Sequence, residues 1–200
     1  MKIINAWRNK RSGSVSGLES TELTFEDGSI EVFKLIRGSV CWPLETYPGV
    51  ILLGAQRLGS DTLDILREEL FNDISSAIEI FQELWSYMPS CYYYAEGPES
   101  EGFLGFLRRN PELTGKLPLI PAAHIKAVEY GNQLIGTFLD KGCLTVPPKS
   151  VLASQLKESR LGTAQEELYS VIALRHLVIG IEAYPYEEEI EDFDLESCLV

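Results

Sequence analysis

Two hundred residues, 45% of them hydrophobic and 24% charged, are enough to bury one sizeable core and too apolar for a disordered chain. Seventeen Lys and Arg against thirty Asp and Glu leave a formal net charge of −13, which repels phosphate backbones over most of the surface and argues against bulk electrostatic binding of nucleic acid. The longest apolar run, Val171 to Ile181, is broken by Arg175 and His176 and is shorter than the ~20 residues a membrane-spanning helix needs.

In chain order, Met1 to Arg11 is basic and lacks an apolar run suited to a secretory leader, so a cytosolic chain is expected. From Leu18 to Leu35, apolar residues alternate on either side of Asp27-Gly28, which predicts a β-hairpin. Cys41 to Leu44 reads as a short extended piece halted by Pro43, and Tyr47-Pro48-Gly49 as the turn before a core strand starting at Val50. The turn residues Gly59-Ser60-Asp61 predict a second hairpin with Leu63 to Phe71.

Ile74, Ala77, Ile78, Phe81, Leu84 and Trp85 recur at helical spacing behind Asn72 and Asp73 as caps, and Pro89 ends that helix. Cys91 to Ala95 is aromatic and strand-forming, with Glu96 at its carboxyl end before Gly97-Pro98. A short helix from Glu99 to Arg109 and a strand from Leu117 to Ile120 follow. His124 to Leu139 predicts a helix closed by Lys141-Gly142, and Cys143 to Val146 a strand ended by Pro147. Ser150 caps a short helix, and Thr163 a long, mostly buried one. From Tyr186 to Val200 the chain carries seven acids and no base, the composition of a solvated segment.

Familiar chemical signatures are missing. Cys41, Cys91, Cys143 and Cys198 form no Cys-x-x-Cys pair, so buried thiols are expected rather than a zinc site. No nucleophile elbow, dinucleotide loop or Walker A loop occurs. His124 and His176 read as packed histidines, and the run Tyr92-Tyr93-Tyr94 as strand-forming residues rather than a base-stacking platform. The compact basic spots are Arg8, Lys10, Arg11 and the pair Arg108-Arg109.

The succession of hairpin strands, helix, strand, helix, strand, helix, strand and long terminal helix is similar to the ribonuclease H-like one. It implies an α/β mixed sheet flanked by helices, here with an N-terminal β-hairpin extension. Tyr94-Ala95-Glu96-Gly97, followed by Gly102-Phe103 and Arg108-Arg109, resembles the central strand and helix of bacteriophage large-terminase nuclease domains. The stretches Lys126 to Leu139, Gly142 to Pro147, Leu152 to Gln155 and Glu166 to Ser170 resemble the distal half of the same family. The resemblance covers roughly Cys41 to Ala183 and divides the chain into an extension (1–40), a ribonuclease H-like domain (41–185) and an acidic tail (186–200).

That resemblance implies DNA cleavage by two Mg or Mn ions held by carboxylates, since phosphodiester displacement needs charge neutralised on both the attacking and leaving oxygens. The family places an Asp in the first core strand, an acid at the end of the central strand and an Asp in the terminal helix. Val50 to Gln56, read as the first core strand, has no carboxylate. Glu96 matches the second position; Glu166 and Glu167 match the first acids of the last helix, with Ser170 where the inward Asp is expected. Glu96, Glu166 and Glu167 are therefore the residual catalytic candidates. Their plainer readings are a strand-end carboxylate and charges favourable to a helix amino terminus.

The expectation is a pseudonuclease with no cofactor that acts through a protein partner in a phage or prophage setting, in the host cytoplasm or the virion. One alternative is an active Mg- or Mn-dependent nuclease completed by Asp61, Asp64, Glu68 or Glu69. A second is an unrelated α/β interaction module whose acidic tail is the working element.

Overall fold

The computed structural model describes residues 2–9, 20–95, 98–110, 112, 118–122, 127–158 and 168–183. The chain opens with a ribbon of three strands, β1 (Ile3–Asn9), β2 (Ser20–Phe25) and β3 (Ile30–Cys41). The predicted Asp27-Gly28 turn joins β2 to β3. Gly28 takes φ 81°, a left-handed conformation that favours glycine, and the Asp27 carboxylate accepts the Ser29 amide at 2.9 Å. Strands β4 (Gly49–Arg57) and β5 (Leu63–Phe71) continue the antiparallel meander as the second predicted hairpin.

After β5 the chain alternates between helices and short strands. α1 (Ile74–Leu84) starts at Asp73, whose carboxylate accepts the Ser76 amide at 2.9 Å, and buries Ala77, Phe81 and Leu84. A 3₁₀ turn (Trp85–Tyr87) leads to β6 (Tyr92–Tyr94), then α2 (Pro98–Arg109) and β7 (Leu119–Pro121). α3 (Ala127–Asp140), β8 (Leu144–Thr145), α4 (Val151–Glu158) and α5 (Tyr169–Ala183) complete the described chain. The His124 helix start, the Thr163 cap and the acidic tail lie outside the described residues.

The eight strands among the described residues share one mixed sheet, so the expected α/β architecture with helices on both faces is present. Strand β3 organises it. On one edge it pairs with β4 from Phe33 to Cys41; on the other its first half pairs with β2 and its second half, parallel, with β6. β7 adds parallel to β6 on one side of the sheet, and β8 parallel to β5 on the other.

Alternation along the strands divides the core between the two faces. Ile51 and Leu53 of β4, with Tyr92 and Tyr94 of β6, face α1 and α2 through Phe81 and Phe103. Val50, Leu52 and Tyr93 face α3, α4 and α5 through Ile135, Leu152 and Leu177. The three tyrosines are thus core residues split between both faces. α5 has almost no polar side, as the sequence predicts, and lies close to the sheet because Gly180 has no side chain: a Cβ there would sit 2.3 Å from the Tyr93 ring. No described helix is long and apolar enough to cross a membrane.

Candidate functional site

In an α/β sheet, chemistry gathers where parallel strands end. The parallel pair at the centre is β3 and β6, with Gly38, Ser39 and Val40 opposite Tyr92, Tyr93 and Tyr94. This corrects the sequence reading, which took Val50 to Gln56 as the strand that should carry the first acid; that segment is β4, one strand further from β6. The strand beside β6 has no carboxylate after Glu31, and Val40, Cys41 and Trp42 stand at its carboxyl end.

Those three residues are built into the core. Trp42 packs against Phe103 at a ring separation of 4.7 Å, against Tyr94 at 6.2 Å and edge-on to Phe71 at 6.3 Å. Its indole Nε1 is buried and has no hydrogen-bond partner among the described residues. A shallow pocket beside it is lined by Trp42, Pro43, Phe71, Asn72, Asp73 and Phe103. The one acid of that pocket, Asp73, is occupied in capping α1.

The opposite face is closed by α5. Ser39 Oγ donates to the Ala173 carbonyl at 2.7 Å, and His176 Nδ1 lies 3.1 Å from the Val40 carbonyl. Burial, reinforced by the neighbouring Arg175 guanidinium, lowers the His176 pKa to about 4, so the ring is neutral and structural. Burial also lowers the pKa of Arg175, whose Nε donates to Asn132 Oδ1 at 3.1 Å. Ser170, which stands where an inward Asp was expected, is fully buried. Its amide donates to Gln155 Oε1 at 2.9 Å, while its hydroxyl has no partner among the described residues.

The three residual acids, Glu96, Glu166 and Glu167, lie outside the described residues. The substitutes considered on β5 and its approach are placed elsewhere. Asp64 does turn inward, but it faces Ala55, which in turn faces Ile36. That leaves it roughly 17 Å along the sheet from Cys41 and two strands across. Its carboxylate is held at 2.6 Å by Arg57 Nε. Glu68 accepts the Leu152 amide at 2.9 Å, capping α4; Glu69 pairs with Arg67; Asp61 is exposed. Among the described residues no three His, Cys, Asp or Glu side chains come together as a metal-binding group. Divalent ions of the Mg or Mn type need hard oxygen donors, and the thiol, indole and aliphatic groups ending β3 do not fit that requirement.

Two residues stand out that sequence reasoning missed. Trp42 is one. The other is Arg37, in the middle of β3, which is 2% exposed, with Nε and Nη1 unpartnered among the described residues and the guanidinium 5.9 Å from the Tyr93 ring centroid. A basic residue in a strand gives no local signal of burial, since alternation equally allows it to face solvent. Of the basic spots, Arg8 is tied down by donating to the Met88 carbonyl at 2.7 Å, and Arg108 and Arg109 are exposed.

No protein-family model matches the chain, and no curated protein does. Among solved structures, the chain is similar to the large-terminase (g2p) nuclease domain of bacteriophage SPP1, described with bound Mn. The TM-score is 0.57 at 12% identity, over 76% of this chain and 87% of that one. The fowlpox virus Holliday junction resolvase also matches, with a TM-score of 0.43 at 13% identity, over 74% of this chain and 99% of that one. At such identity the first likeness shows the fold alone, a mixed α/β fold of the ribonuclease H-like kind that the sequence resemblance implies.

Proposed function

We propose that this chain is a terminase-nuclease-like domain that does not cut DNA and acts by binding a protein partner in a phage setting. The observation that carries the reading is the carboxyl end of β3. Where two-ion hydrolysis needs a carboxylate next to the end of β6, the strand presents Val40, Cys41 and Trp42, with Trp42 stacked into the core. The net charge of −13 disfavours a phosphate backbone as the principal ligand. Exposed Ile4, Trp7, Ile30 and Val32 on the amino-terminal ribbon provide apolar surface of the kind protein partners bury.

The test is cleavage of plasmid and single-stranded DNA in Mn²⁺, with Glu96→Ala run in parallel. Neither protein is expected to cut. Metal-dependent cleavage that disappears in Glu96→Ala would overturn the proposal, because a contaminating nuclease would ignore the substitution.

A further inference from the structure

We infer, on the strength of the partner-binding reading above, that the outer face of the amino-terminal ribbon receives an amphipathic helix of the partner whose apolar stripe carries one arginine at its centre. The pairing register fixes what that face presents. Trp7 of β1 stands opposite Glu22 of β2, and Glu22 opposite Val32 of β3, so the three side chains form one row across the ribbon; Asn5, Thr24 and Ile30 form the next. Alternation sends their chain neighbours to the other side, where Leu23 and Phe25 are buried in the core and Arg8 donates to the Met88 carbonyl. On the outer face Trp7 is 65% exposed, and Ile30 and Val32 are exposed with it. Beside Val32 lies a further exposed apolar residue, Leu58, whose amide donates to the Val32 carbonyl at 3.2 Å.

Apolar surface of this extent is what a partner buries, but a carboxylate stands at its centre. Glu22 is exposed and makes no ion pair among the described residues. Its Cβ is held about 5 Å from those of Trp7 and Val32, the separation of directly opposed residues in neighbouring strands. A wholly apolar partner would strip water from that carboxylate and return nothing, so it is rejected. A partner with a cation at that point is accepted, and the net charge of −13 favours its approach. Arginine suits the place better than lysine, because its planar guanidinium engages both oxygens of Glu22 while its flat face lies on the Trp7 indole.

The spacing selects a helix laid across the strands. Trp7, Glu22 and Val32 succeed one another at the inter-strand distance of ~4.8 Å. Residues three or four apart on a helix surface succeed one another at ~5–6 Å. An arginine with apolar residues three or four positions before and after it therefore meets Trp7, Glu22 and Val32 in register. A strand repeats on one face only every ~7 Å and misses that register.

Selection of a random peptide library displayed on phage against the immobilised full chain tests this, followed by fluorescence-anisotropy titration of the enriched peptides. The expected peptides carry an arginine with apolar residues three or four positions to either side. Their affinity falls about ten-fold or more for both Glu22→Gln and Trp7→Ala, with Tm unchanged because both positions are exposed. Glu22→Arg reverses the preference and selects peptides with a central Asp or Glu. Apolar peptides that need Trp7 but are indifferent to Glu22→Gln would overturn the arginine and leave the partner-binding reading standing. Enriched peptides indifferent to Trp7→Ala as well, or no enrichment at all, would overturn this face as the docking surface.

Discussion

Gly180→Ala and Gly136→Ala make the same chemical change in two helices and should have opposite effects. In a helix interior, alanine is favoured over glycine by about 1 kcal/mol. At Gly136, in α3, a Cβ meets nothing within 4 Å, so that gain is unopposed. At Gly180 the Cβ would fall 2.3 Å from Tyr93 Cδ2 and Cγ and 2.4 Å from Cε2. Tyr93 is fully buried, so its ring cannot swing away, and α5 must lift from the sheet together with its neighbours Leu177, Val178 and Ile181. Overpacking of this kind costs about 3 kcal/mol at the upper end, leaving a net loss of about 2 kcal/mol after the propensity gain. In a chain of this size that lowers Tm by roughly 4–8 °C, whereas Gly136→Ala raises it by roughly 2–4 °C. Thermal and urea melts of the two variants read the difference directly. If Gly180→Ala were neutral or stabilising, the close contact between α5 and β6 would be wrong.

Arg37→Met is expected to stabilise the fold by about 1–3 kcal/mol, because it removes two buried guanidinium nitrogens that have no partner among the described residues, and a buried charge, while keeping an unbranched stem; the lost contact with Tyr93 offsets about 1 kcal/mol. A fall in the urea midpoint would show that the guanidinium has a partner. Glu68→Ala removes the carboxylate that caps α4 and should cost about 1 kcal/mol, with faster amide exchange at Leu152 as the local readout. His176 has a folded pKa of about 4 against about 6.5 when unfolded, so protonation favours the unfolded chain. Its contribution is complete above pH ~6.5 and declines as the pH falls toward 4, reaching a loss of about 2 kcal/mol at pH 5. His176→Gln should flatten that part of the stability profile, and an unchanged profile would contradict the burial of the ring.

Local signals made much of this fold legible. Asp27-Gly28 fixes the first hairpin, the helical spacing behind Asp73 fixes α1, and the near absence of polar residues in 171–181 marks α5 as buried. What the sequence concealed was β3. Its second half, Lys34 to Ser39, mixes Lys, Arg, Gly and Ser with apolar residues, so alternation fades where the strand is most buried. Its parallel pairing joins Gly38 to Tyr92 across more than fifty residues and leaves no turn to read. The continuous apolar run from Val50 consequently looked like the strand that should carry the first acid, when it is the neighbour of that strand. Asp64 likewise could be recognised as inward only once register was known, since a shift of one residue exchanges the two faces.

Binding of Mn²⁺ to the full chain, followed by electron paramagnetic resonance and by calorimetry, tests the central claim most directly. The hydrophobic carboxyl end of β3 predicts no stoichiometric site, and the same weak signal from the native chain and from Glu96→Ala. One or two ions bound stoichiometrically in the native chain and lost in Glu96→Ala would mean that carboxylates complete a metal centre at the end of β6, and the domain would then be a nuclease.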